Sequence, residues 1–342
     1  MQDSHLSMSF MNFANMECKG SSELYEFLSL KVAEDAGLLD LCLAVPKGQP
    51  VPNLLFGAVH YLLLKEKEHP LKNYYQSMTH PPKRIDDETF GHFKDFCELY
   101  RDEIIPTLKS RLVQTNEVRR CGYLFPIFSW IYNKVEQPLS LIEIGTSAGF
   151  QLLWDHYGYS YGTGRTYGSQ NAGVHITSEV KGDHFPKMLS ESPPIASRIG
   201  LDLNISDLSD PDDYSWLKSL IWPEHQERLE LFDQAAKCLK ENPVDLMEGD
   251  GVHLLSDVVD AVPTDSLICI FHTHVANQLP TDSKHELLKK IAAIGSKRDV
   301  FHIYNNMWDR QLHVDYFLNG KEFKNTIGDT DGHGRWFEWN LF

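Results

Sequence analysis

From Pro138 onward the chain repeats one pattern, a short apolar run followed by a helical or loop stretch. The runs are residues 139–144 (LSLIEI), 244–248 (VDLME), 266–271 (SLICIF) and 299–304 (DVFHIY). Segments this short and apolar are characteristic of parallel strands whose two faces are covered by crossover helices. The first run ends in a glycine loop and leads into a helical stretch over 150–157. Near the end, Asn319-Gly320 separates two strand-like stretches and predicts a hairpin, and residues 335–341 (RWFEWNL) read as a further strand. The expected architecture is α/β, a mostly parallel sheet with an antiparallel C-terminal edge.

No strand-like run precedes residue 138. Ser22 is placed to cap a helix whose apolar positions Leu24, Phe27, Leu28 and Val32 recur at helical spacing, with Glu23 and Glu26 in its first turn. Residues 53–64 (NLLFGAVHYLLL) are apolar nearly all round, which predicts a helix buried in a bundle. After Pro81-Pro82 a third helix is expected, with Phe90, Phe93, Cys97, Tyr100 and Ile104 on one stripe. The layout expected is an N-terminal helical cap domain over 1–137 and an α/β domain over 138–342, with an insertion at about 159–194. Trp216, Trp222 and Pro223 are expected to dock a helix onto the sheet.

Charge narrows the function. With 48 acidic against 32 basic residues the formal net charge is −16, and no run of Lys and Arg offsets it locally. Such a surface repels phosphate backbones, so a small-molecule partner is expected rather than a nucleic acid. The six cysteines are scattered without metal or disulfide spacing and read as buried thiols. No basic leader and no apolar run near 18 residues is present, so a cytoplasmic protein without membrane association is expected.

The loop after the first run carries the chemistry. In Glu143-Ile-Gly145-Thr146-Ser147-Ala-Gly149, the glycines permit a sharp turn and close helix packing, and small residues between them let a ligand approach the backbone amides. Glu143 ends the strand, where an acid suits an amino-acid-like group above the loop. The segment resembles the first motif of class I S-adenosylmethionine-dependent methyltransferases, with Ser147 in place of the central glycine. That resemblance implies a Rossmann-like methyltransferase fold. It gives the ribose role to an acid ending the second strand and the adenine role to one after the third. Asp202 and Asp250 are the matching positions, with Glu179 a rival for the ribose.

The same residues spell Gly-x-Ser-x-Gly, the nucleophile elbow of serine hydrolases. Ser147 would then be the nucleophile, Asp250 the orienting acid and His274 or His302 the base. A helical rather than stranded N-terminal third counts against that alternative, as does the lack of a His-Gly-rich loop upstream. A non-catalytic Rossmann-like scaffold is the third reading.

A wider resemblance covers nearly the whole chain. Residues 111–120 (RLVQTNEVRR), 141–149 (LIEIGTSAG), 199–207 (IGLDLNISD) and 216–229 (WLKSLIWPEHQERL) look like an uncharacterised bacterial family, domain of unknown function 2332. It supports the fold and layout and implies no activity. Asn116 and Glu117, just ahead of the first strand, are expected either to face a ligand or to serve a helix N-terminus. After the fourth strand, His272 and His274 stand where a methyltransferase touches its acceptor, and either would serve as general base. His-x-His lacks a third metal ligand at a diagnostic spacing, so no metal is expected. Asn305 and Asn306 end the fifth strand beside the same cleft.

Overall fold

The computed structural model describes residues 2–341. The chain forms two compact units, Met1–Thr115 with Ser209–Glu230, and Asn116–Leu208 with Leu231–Phe342.

The first unit is helical. Ser22 accepts a hydrogen bond from the Tyr25 N–H at 3.1 Å and caps the helix Glu23–Val32, as its sequence position predicts. The apolar helix Val51–Leu64 is buried almost throughout, and Phe56 at its centre stacks on Tyr25 with ring centroids 4.5 Å apart. The stripe from Phe90 to Ile104, expected on one helix, is divided between Asp87–Leu99 and Arg101–Ser110. The break falls at Tyr100, whose backbone leaves the helical region and whose ring packs 4.6 Å from Phe96. Trp216 and Trp222 belong to the helical unit, not to the one built on the sheet. Trp216 packs edge-on against Tyr61, and Trp222 against Phe13 and Tyr25, so both complete the helical core.

The second unit is built on seven strands. In chain order they are β1 (Leu139–Ile144), β2 (Ile195–Asp202), β3 (Asp245–Glu248), β4 (Leu267–His272), β5 (Val300–Asn305), β6 (Leu312–Leu318) and β7 (Lys321–Gly328). They lie in the order β7-β6-β5-β4-β1-β2-β3. The first five strands are mutually parallel, and β6 runs antiparallel to β5 and to β7. The sheet is therefore mostly parallel with an antiparallel C-terminal edge. Every residue of β1, β4 and β5 is buried, which is why their sequences are continuous apolar runs rather than alternating ones. Asn319 and Gly320 turn the hairpin with φ of 51° and 74°, the left-handed pair that a two-residue connection requires. The strand expected at the C-terminus shortens to Trp336–Glu338. It pairs in parallel with Glu179–Lys181, apart from the large sheet. The inserted segment supplies three further short strands, Gly158–Ser160, Thr166–Gly168 and His175–Thr177.

This order positions the site. From β1 the chain steps outward to β2 and β3, then crosses to β4 and β5 on the other side. The connections leaving β1 and β4 diverge, which opens a crevice at the carboxyl ends of those strands. One face of the sheet is covered by the helices Gly251–Ala261 and Thr281–Gly295, through Val252, Leu255, Leu287 and Ile291. The helix Cys121–Val135 brings Phe128 onto β4. That ring stacks on Trp154 at 4.5 Å and meets Phe271 edge-on at 5.6 Å. Among the described residues no helix is long and apolar enough to cross a membrane.

Phe128→Ala should cost about 3–5 kcal/mol, because the fully buried ring leaves a cavity between two aromatic neighbours. Urea unfolding measures this directly, and a loss below about 1 kcal/mol would contradict the packing described.

Candidate functional site

The loop after β1 is held in a conformation that few residues adopt. Gly145, Ser147 and Gly149 all have positive φ, at 77°, 51° and 89°. Ser147 is not glycine, and a left-handed backbone there persists only where its surroundings hold it. Those surroundings are specific. The Ser147 N–H donates to Asp202 Oδ2 at 2.7 Å, and the Ala148 N–H donates to Asn116 Oδ1 at 3.2 Å. Asn116 Nδ2 donates in turn to Ser147 Oγ at 2.7 Å. The Gly145 and Thr146 amides both reach the Leu201 carbonyl, at 2.7 and 3.3 Å. The loop is thus clamped between the end of β2 and the segment ahead of the helix Cys121–Val135.

The glycine at 145 answers to packing as well as to backbone angle. A Cβ there would lie 2.3 Å from Val275 Cγ2, so the loops after β1 and β4 touch at this point.

Glu143 lies beneath the loop, 3% exposed, and its Oε2 accepts from Thr146 Oγ1 at 2.7 Å. Burial pushes its pKa up to about 8. The Thr146 hydroxyl opposes that rise, and of the neighbouring charges Asp202 adds to it while Arg120 lowers it. The acid is therefore largely protonated at neutral pH.

Asp202 and Asp250 come together at the same edge. The Gly249 N–H donates to the Asp202 carbonyl at 2.8 Å. Asp202 Oδ1 accepts from the Asn204 N–H at 3.0 Å, and Asp250 Oδ1 caps the helix Gly251–Ala261 through the Val252 and His253 amides. Glu179 lies in the small pairing with Trp336–Glu338, away from this loop in the topology.

The two candidate histidines have different surroundings. His272 ends β4 fully buried, and its Nε2 meets Nε2 of His302 on β5 at 3.0 Å. Burial lowers its pKa to about 4, so the pair is neutral and one ring donates to the other. His274 follows in the loop with φ of 57°. Its N–H donates to Asn305 Oδ1 at 2.7 Å, and Asn306 Nδ2 donates to its Nδ1 at 3.1 Å. Burial, with Arg120 and His333 adding to it, lowers its pKa to about 3.

Glu117 is buried at the start of the short helical turn Val118–Arg120. Its Oε2 pairs with His333 Nδ1 at 2.9 Å and its Oε1 receives the Arg119 N–H at 3.3 Å, so it caps the short helical turn Val118–Arg120. Arg120, which local pattern does not single out, reaches the carbonyls of Gly332 at 3.0 Å and Thr273 at 3.4 Å. Gln151 Nε2 and Thr273 Oγ1 meet at 2.9 Å. His333, within the turn before the last strand, is the other member that short-range sequence does not reveal. Its partner lies 216 residues away. Ser147 Oγ is engaged by an amide, Asp250 by a helix end and His302 by His272. Among the described residues no group of three or more His, Cys, Asp or Glu is arranged to hold a metal.

The raised pKa of Glu143 has a definite pH signature. The folded state keeps a proton that the unfolded chain releases near 4.5, so this group makes stability fall as pH rises from about 4.5 to about 8. Glu143→Gln stays neutral and should flatten that decline, as measured by urea unfolding at pH 5, 6.5 and 8. A variant with the wild-type slope would show that Glu143 ionises normally.

Neither a curated protein nor a solved structure matches the chain. The model of a family described as an uncharacterized protein conserved in bacteria (DUF2332) matches residues 7–339, nearly the whole sequence, and the chain belongs to that family.

Proposed function

We propose that the second unit has a Rossmann-like methyltransferase fold, binds S-adenosylmethionine at the loop Gly145–Gly149 and transfers its methyl group to a small molecule. The observation that carries this reading is Asp202 bonded to the loop, with Asp250 beside it after β3. The ends of β2 and β3 are joined by the Gly249–Asp202 bond, and Asp202 itself holds the Ser147 amide. These are the positions that the methyltransferase resemblance assigns to ribose and adenine.

The residues present fit a nucleoside. Each Asp202 oxygen accepts one backbone N–H, which leaves lone pairs for hydroxyl donors. Leu203, next in the chain, is 67% exposed and offers an apolar surface beside that carboxylate. Glu143, largely neutral, adds no further carboxylate charge to those of Asp202 and Asp250. Bound S-adenosylmethionine supplies an already activated methyl group, so the protein's own contribution is orientation. This reading assigns the acceptor to His274, which Asn305 and Asn306 fix next to Val275 and the loop. The net charge of −16 favours a small acceptor over a nucleic acid.

Thermal unfolding with S-adenosylhomocysteine, S-adenosylmethionine and NAD at millimolar concentration tests the reading. The two S-adenosyl compounds should raise the melting temperature and NAD should not. A ligand at 100 times its Kd stabilises by about 2.7 kcal/mol. Asp202→Ala should remove most of the shift. No shift with either S-adenosyl compound would sink the proposal, and labelling of Ser147 by a fluorophosphonate would favour the hydrolase.

A further inference from the structure

The large sheet ends at β7, which pairs with β6 on one side only among the described residues. Lys321, Glu322, Lys324 and Thr326 are exposed there, and the Phe323 ring is 40% exposed. Further along, the Asn340 N–H donates to the Ile327 carbonyl at 2.9 Å, so the chain's own C-terminal segment takes over the edge after Thr326. The open stretch is therefore Lys321–Thr326.

The hairpin decides which backbone groups face outward. A two-residue turn at Asn319-Gly320 bonds the Lys321 N–H to the Leu318 carbonyl. Hydrogen-bonded and non-hydrogen-bonded pairs alternate along an antiparallel ladder, so Lys321, Phe323 and Asn325 aim their backbone groups at β6. The Asn325 N–H accordingly reaches Asp315 Oδ1 on β6 at 3.3 Å. Glu322 and Lys324 present theirs to the open side.

The side chains on the two faces are patterned about one residue. On one face Phe301, Tyr316 and Phe323 stand opposite one another on β5, β6 and β7. Their rings stack at 4.5 and 4.7 Å, tilted by only 8° and 14°, and the stack stops at the edge. On the other face Glu322 and Lys324 flank Phe323 and form an ion pair at 3.1 Å.

We infer that β7 is the docking edge for a second copy of this chain, paired antiparallel about a two-fold axis at Phe323. In that register Glu322 lies opposite the partner subunit's Lys324, and Lys324 opposite the partner subunit's Glu322. Their outward backbone groups bond in both directions. The two Phe323 rings meet at the axis as a non-hydrogen-bonded pair, the closer kind, and carry the aromatic stack from one sheet into the next. Registers centred on Glu322 or Lys324 would set like charges opposite each other. Lysine on an edge ordinarily opposes such pairing, but here each lysine faces a glutamate. An edge that matches itself under a two-fold rotation suits a closed dimer.

Sedimentation equilibrium of the full chain should give twice the chain mass at micromolar concentration. Glu322→Lys and Lys324→Glu each put like charges opposite one another at two symmetric places, and each should weaken the dimer by about tenfold or more with the circular dichroism unchanged. Combining both changes in one chain restores opposite charges and should restore the dimer. Mixing the two single variants should do the same by forming a heterodimer. Lys324→Pro removes an outward donor while sparing the bonds to β6, and should leave monomer alone. A wild-type chain that stays monomeric at high micromolar concentration would overturn the inference. So would a dimer untouched by the single changes, which would lie on another surface, or one that neither the double variant nor the mixture recovers.

Discussion

The hydrogen bond from the Ser147 amide to Asp202 fixes the crevice edge of the second unit. A serine at φ of 51° costs about 1–3 kcal/mol in isolation. The charge-assisted bond to Asp202 offsets that cost, and Asn116 adds two further contacts on the same turn. Because Asp202 ends β2 and Asn116 precedes the helix Cys121–Val135, one strained turn ties three separate parts of the chain. Register follows from it as well, since a one-residue slip of β2 would carry Asp202 to the opposite face of the sheet.

Around this turn the polar groups are buried and mostly neutral. Glu143 holds a proton, His272 and His302 share one between facing nitrogens, and His274 resists protonation. Charge at this edge is concentrated instead in Asp202, Asp250 and Arg120. Asp202 is half-buried and Asp250 exposed, so solvent screens the two acids, whereas Arg120 is buried.

Much of this was legible in the residues. Continuous apolar runs located β1 to its end residues and placed β3, β4 and β5 within one residue. The errors at the ends of β4 and β5 share a cause. His272 and Asn305 are polar, so they read as loop, yet each is the last residue of a fully buried strand, where His272 Nε2 meets His302 and Asn305 Oδ1 accepts the His274 N–H. Gly145 and Asn319-Gly320 were legible because left-handed backbone selects so few residue types. Arg120 and His333 were not, since their partners lie hundreds of residues away and leave no periodicity. The tryptophans at 216 and 222 mark a buried face in sequence but not which core receives it, and the core proved to be the helical one.

That destination has a consequence during synthesis. Ser22 Oγ and the Leu24 amide both bond to Glu224, about two hundred residues downstream, and Trp216 packs on the helix Val51–Leu64. At translation rates of roughly 5–20 residues per second, the early helices wait on the order of tens of seconds for these partners. In that interval the groove that Trp216 and Trp222 will fill stays open, with Phe13, Tyr25 and Tyr61 along it. The nascent N-terminal segment is therefore a natural client for holding chaperones, and a ribosome stalled before residue 209 would release a chain prone to aggregation.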